Sequence, residues 1–120
     1  MPPVAHTFPR HRRLLNRTDF RQVFQQPWKS SDALFTVLAV PATADCPRLG
    51  LAIARKQLKS AVDRNRVKRL VREYFRQHTV ATLDYVVMAR TAVHTRTNAQ
   101  AWHSLAHHFR QLATHSHRSA

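Results

Sequence analysis

The twelve residues from Arg64 to Phe75 read Arg-Asn-Arg-Val-Lys-Arg-Leu-Val-Arg-Glu-Tyr-Phe, and they leave the chain little choice of local structure. At about 100° per residue, Val67, Leu70, Val71 and Tyr74 fall on one arc, the pattern of a helix lying on a core. Asn65, Lys68, Arg69, Arg72 and Arg76 fall on an adjacent arc at i, i+3, i+4, i+7 and i+11. Like charges at this spacing repel by a few tenths of a kcal/mol per pair. Glu73 lies off that arc, nearer Arg66, so the cations are expected to be largely uncompensated within the protein. A row of guanidinium and ammonium groups about one helical turn apart can track a phosphate backbone. Asn65 adds a neutral donor and acceptor suited to a sugar hydroxyl or a base edge.

The rest of the chain supports a folded domain with the same bias. Its 120 residues suffice for one domain with one modest core, and 43% are hydrophobic. Twenty Lys and Arg face six Asp and Glu, giving +14 with His neutral. Such an excess destabilises the compact state by self-repulsion and answers a polyanionic partner, with nucleic acid first and an anionic membrane second. The apolar stretches Leu34–Ala42 and Leu49–Ala54 are well short of the ~20 residues a spanning helix needs. Met1 to Arg13 has no apolar segment of a secretory signal. A single cysteine, Cys46, fits a reduced, cytoplasmic setting and is read as inert.

Residues 1–15 are basic and contain proline, and are expected to form an N-terminal arm; residues 114–120 are expected to form a frayed basic tail. Between them, Asn16 with Asp19 opens a helix that carries Phe20, Val23 and Phe24 and stops at Pro27. Leu34–Val40 reads as a strand, and Arg48–Ala54 as a strand returning antiparallel to it. Gly50, the only glycine, predicts a bulge or a close backbone approach. Ser60 with Asp63 starts the central helix, which runs to about Gln77. Asp84–Ala89 is apolar enough for burial on both faces. Asn98 is expected to cap a last helix bearing Trp102, Leu105, Ala106, Phe109, Leu112 and Ala113. The order is α-β-β-α-β-α, an α+β arrangement of helices on a small sheet.

Phe20 and Phe24 have two readings, plain core or rings at a cleft edge on which an unpaired base stacks. Arg55, Lys56 and Lys59 extend the positive surface beyond the second strand, or keep a loop soluble. His103 and His107 stand at i, i+4, with His108 beside them, but lie with Arg110 on a polar face, so no metal site is expected. Asp19, Asp32, Asp45, Asp63, Glu73 and Asp84 form no paired motif of the kind a two-metal nuclease needs, and no nucleophile motif or glycine-rich phosphate loop is present. The residues describe a binder with no catalytic residues of its own.

Arg64-Asn65-Arg66-x-Lys68-Arg69-x-x-Arg72-Glu73 resembles the signature of the bacterial ribonuclease P protein component. The resemblance extends through Leu15, Asp19-Phe20-x-x-Val23-Phe24, Arg48-Leu49-Gly50-Leu51, Arg55-Lys56, Ala61-Val62 and Asp84-Tyr85-Val86-Val87. It implies a two-layer α-β sandwich of order α-β-β-β-α-β-α, one domain over 1–120, with a small mixed four-stranded sheet and a left-handed βαβ crossover. The added strand would be a short one near Trp28–Ser31. The resemblance further implies an accessory subunit of a ribonucleoprotein endonuclease. Its partner RNA, using magnesium, removes the 5′ leader of precursor tRNA, and the protein binds no cofactor itself. The single-stranded leader would lie in a cleft between the central helix and the sheet, lined by Phe20 and Phe24. Arg64, Asn65, Arg66, Lys68, Arg69 and Arg72 would face the catalytic RNA or the cleft, and Arg76, Arg55, Lys56 and Arg48 are counted with them as RNA-binding. Where some members carry a cleft aromatic on the first long strand, this chain has Leu38. A structural RNA binder such as a small ribosomal protein is the alternative that composition alone permits.

Overall fold

A computed structural model describes residues 12–13 and 17–118, with side chains as far as His115. Three helices, α1 (Arg17–Gln25), α2 (Ala61–Gln77) and α3 (Asn98–Arg118), and four strands, β1 (Trp28–Ser31), β2 (Phe35–Pro41), β3 (Arg48–Ala52) and β4 (Leu83–Ala89), follow the order α-β-β-β-α-β-α. A short 3-10 helix, Thr91–Thr95, joins β4 to α3. The strands form one mixed sheet in the order β1-β2-β4-β3. Thus β3 does not return against β2. It runs parallel to β4, which lies antiparallel to β2 and between the two. The antiparallel sense of β2 and β3 is kept, but not their adjacency, because β4 is the strand apolar enough to be buried on both faces. The short strand at Trp28–Ser31 pairs with β2.

Register divides the sheet into two faces. Phe35, Val37, Ala39, Leu49, Tyr85 and Val87 join Val67, Leu70, Val71, Tyr74 and Phe75 of α2 and Ala101, Leu105, Phe109 and Leu112 of α3 in the main core. The sheet with α2 and α3 is the two-layer body. On the other face Leu38 and Val86 meet Val23 of α1, with Phe20, Val40, Ala52 and Met88 partly buried around them. Gly50 stands beside Val86 in an unbroken register, without the bulge its position suggested and without positive φ.

Helix starts follow local chemistry. Ser60 caps α2, its Oγ accepting from the Asp63 amide at 3.4 Å. The cap of α3 is Thr97, not Asn98. Thr97 Oγ1 accepts from the Gln100 amide at 3.1 Å and Gln100 Oε1 from the Thr97 amide at 2.9 Å, a reciprocal capping box. Asn98 is left free to serve α2. The tail expected over 114–120 is helical as far as Arg118.

A polar node docks α3 on the β1–β2 hairpin. Asp32 Oδ1 accepts from the amides of Leu34 and Phe35 at 2.8 and 2.9 Å, closing the turn. Its Oδ2 accepts from Ser104 Oγ at 2.6 Å and lies 3.2 Å from Nε2 of His108. His108 Nδ1 shares a 2.6 Å hydrogen bond with the Ser30 hydroxyl, which ties the ring to β1 as well. His108 is fully buried, and burial holds its pKa below the usual histidine range despite Asp32. Burial raises Asp32, but the bonds from Ser104, Phe35, Leu34 and His108 outweigh it and hold the carboxyl well below its usual range. The histidine that followed His103 and His107 in the sequence is therefore a core residue.

Candidate nucleic-acid interface

The structure sorts the basic residues of α2 into two groups. Arg64 turns back on the loop that precedes the helix, Nη1 donating to the carbonyls of Leu58 and Lys59, each at 2.9 Å. Arg66 crosses to α3, Nε donating to Asn98 Oδ1 at 3.1 Å and Nη2 to the Arg96 carbonyl at 2.6 Å. Arg76 pairs with Glu73 at 2.6 Å, so one member of the expected uncompensated row is neutralised locally. Asn65, Arg69 and Arg72 are exposed and Lys68 is half-buried, and none of their side chains makes a hydrogen bond or ion pair among the described residues. The free face of α2 is thus Asn65, Lys68, Arg69 and Arg72.

Arg13 brings a further guanidinium to this face. Most of the expected N-terminal arm lies outside the described residues, but Arg13 bridges Leu49 in parallel fashion at the edge of β3. Arg12 lies over the Phe75 ring, its Cζ 4.7 Å from the centroid, a cation–π distance. Partial desolvation, and then the like charge of Arg13, hold Arg72 below its ordinary range.

Arg55 and Lys56 are exposed on the turn after β3. The turn is fixed, because Gln57 Oε1 accepts from Thr91 Oγ1 at 2.8 Å and from the Thr91 amide at 3.2 Å. Lys56 and Lys59 rim a recess of about 290 Å³ at the start of α2, whose wall is the 2.7 Å contact of His94 with Asp63.

Arg48 does not belong to the exposed set. Its Nε and Nη2 reach Oδ1 and Oδ2 of Asp84 at 3.1 and 2.9 Å, Nη2 also donates to Thr43 Oγ1 at 2.9 Å, and Nη1 lies 3.6 Å from Asp19 Oδ2 on α1. Asp84 is 3% exposed. The hydrogen bonds from Arg48 to Asp84 outweigh desolvation and push the arginine above its ordinary range. Nothing in the sequence around Arg48 marks it off from the other cations, because its acids lie far along the chain.

The aromatic pair sits on the opposite side of the sheet from α2. Among the described residues no cleft opens between the central helix and the sheet, since Val67, Leu70, Val71, Tyr74 and Phe75 fill that space. The partly open surface is the face beside α1, where Lys29 and Ser31 are exposed and Thr36, Val40, Ala52 and Met88 are half-buried. Phe24 is 46% exposed and Phe20 half-buried at its border. Leu38 faces this side but is covered, packed with Val23 and Val86.

Each of Asp19, Asp32, Asp63, Glu73 and Asp84 already contacts a basic group, and among the described residues no group of three or more His, Cys, Asp or Glu is placed to hold a metal ion. No helix among the described residues is long and apolar enough to cross a membrane. An unpaired cationic helix face, a fixed basic turn and an aromatic border on an open sheet face define a small α+β domain built to hold a polyanion that has unpaired bases.

Comparison with known proteins sharpens that class. Residues 8–113 match the family model described as Ribonuclease P. The chain is 49% identical over 111 residues to the ribonuclease P protein component of Methylococcus capsulatus, covering 91% of this chain and 87% of that protein. Among solved structures it is similar to the RNase P protein of Staphylococcus aureus, at 29% identity and a TM-score of 0.75 over 82% of this chain and 93% of the other. The RNase P protein from Thermotoga maritima is 29% identical with a TM-score of 0.69, over 79% and 92% of the two chains. The chain belongs to the ribonuclease P protein family.

Proposed function

We propose that this chain is the protein subunit of ribonuclease P, and that it binds the catalytic RNA and the single-stranded 5′ leader of precursor tRNA while the RNA cuts the leader away. The observation that carries the reading is the free face of α2. Among the described residues Asn65, Lys68, Arg69 and Arg72 project without side-chain partners, so the three cations are available to phosphates of a structured RNA. The α1 face, with Phe24 exposed and Lys29 nearby, is the surface suited to an unpaired strand, because rings stack on bases of any sequence. Placing the chemistry in the RNA agrees with Asp19, Asp32, Asp63, Glu73 and Asp84 each being committed to an internal contact. Magnesium would enter through the RNA, and the subunit works where precursor tRNA is made, in the cytoplasm.

Reconstitution tests this directly. Mixed with a bacterial ribonuclease P RNA at low magnesium, the full chain is expected to stimulate cleavage of precursor tRNA at the 5′ end of the mature sequence. No stimulation, or cleavage by the protein without RNA, contradicts the proposal.

A further inference from the structure

We propose that Arg48 is a positioning residue that, through Asp19, fixes the rotation of α1 and so aims the Phe20–Phe24 row at the strand-binding face. Arg48 and Asp84 are register partners on the side of the sheet that α1 covers, one step along from Gly50 and Val86. The bidentate bond to buried Asp84 makes the guanidinium a fixed post, and its remaining nitrogen Nη1 meets Asp19 Oδ2 at 3.6 Å. On α1, Asp19 and Val23 are one turn apart and form the row held to the sheet, the first by Arg48 and the second by Leu38 and Val86. Phe20 and Phe24 form the neighbouring row, displaced by one residue. Val23 is the only fully buried residue of this short helix, and Phe20 packs beside it in the same small cluster, so the apolar hold on the nine-residue helix is confined to one patch. The Asp19 contact adds a polar tether beside that patch, which fixes the rotation of the helix and with it the exposed placement of Phe24.

The proposal rests on the reading of the α1 face as the leader site, and the experiment separates the two. Holoenzyme reconstituted with the full chain is titrated with precursor tRNA and with the same tRNA lacking its leader, and the affinity ratio is recorded. Asp19→Asn keeps the buried Arg48–Asp84 pair and is expected to narrow this ratio about threefold, the scale of one partly exposed ion pair. Affinity for leaderless tRNA and for the RNA subunit stays at the wild-type value. In a Phe20→Ala/Phe24→Ala background Asp19→Asn is expected to narrow the ratio no further, a result that a general loss of stability does not produce. Amide exchange of residues 17–25 is expected to quicken in Asp19→Asn while that of 83–89 is unchanged. Arg48→Lys, which cannot hold Asp84 in bidentate fashion and still reach Asp19, is expected to repeat the effect. An unchanged ratio, equal narrowing in the ring-less background, or unchanged exchange in α1 overturns the proposal alone. A wild-type holoenzyme with no preference for the leader overturns the leader reading, and this proposal with it.

Discussion

Arg66 on α2 holds Asn98 at the start of α3, Nε to Oδ1 at 3.1 Å, and closes on the Arg96 carbonyl beside it. A residue from the middle of the basic run is therefore a fastener between two helices, whereas Arg69, three residues later, faces solvent with no partner among the described residues. Arg66→Ala is expected to lower stability by about 1 kcal/mol, since charge-assisted bonds are discounted where water reaches them. In a domain of this size that moves the thermal midpoint by about 3–6 °C. Arg69→Ala is expected to leave the midpoint in place and to reduce the slope of log affinity against log salt by ~1. Calorimetry and salt-dependent RNA titration of the two variants check the division.

The two rings of α1 are expected to separate in the same way. Phe24→Ala removes an exposed ring and should cost ~1–3 kcal/mol of leader binding, the range for base stacking, with unchanged melting. Phe20→Ala also strips packing from Val23, Leu38 and Val86, so it should lower the melting temperature as well. Anisotropy with a labelled leader, alongside thermal melts, distinguishes them. A Phe24→Ala variant that melts early and binds normally would return that ring to the core.

Acid should lower the stability of the domain in two pH windows. His108 is neutral when folded, with its pKa lowered by burial, so the unfolded chain takes up the extra proton. Stability is therefore complete above the ordinary histidine pKa of about 6.5 and declines as pH falls from there toward the lowered value. Asp32 has the opposite charge and a lowered folded pKa. Its contribution is present above the ordinary value of about 4 and is lost as pH falls below it toward the folded value. Urea midpoints measured from pH 8 to pH 3 are expected to fall in both windows. In His108→Gln the first decline should shrink, and an unchanged profile would show that His108 is not the group responsible.

Thr97→Ala should destabilise α3 by ~1 kcal/mol through loss of the capping box. Asn98→Ala should act through Arg66, so it and Arg66→Ala are expected to be non-additive while Thr97→Ala adds to either. A double-mutant cycle on melting free energies checks the assignment.

How far the sequence reaches depends on how local the deciding contact is. Helix α2 was legible to its boundaries, because Ser60, the apolar arc and the basic arc all lie within one short segment. β4 was legible as a doubly buried strand, but its place between β2 and β3 was not, since pairing partners are set by contacts between distant segments. Trp28–Ser31 alternates half-buried with exposed residues and is largely polar, so only the family resemblance indicated it. Arg48 looked like one more cation, and its partners Asp19 and Asp84 lie 29 and 36 residues away. His108 carried a usable signal, since it shares the helical arc of Ala101, Leu105 and Leu112, but the surrounding histidines obscured it.

The central place of β4 also sets the order in which this protein can be completed. β3 has no strand neighbour except β4 in the sheet order β1-β2-β4-β3, so a growing chain that has just finished α2 holds a hairpin and an unpaired strand with nothing to join them. During that interval the apolar arc of α2 has no finished sheet to lie on, while its cations are already present and unmasked. Synthesis must pass Ala89 before the sheet closes, and long-range pairing of this kind is slow. A chain that has just completed α2 therefore presents Arg48 and Arg66 without Asp84 and Asn98, the partners that hold them in the finished fold.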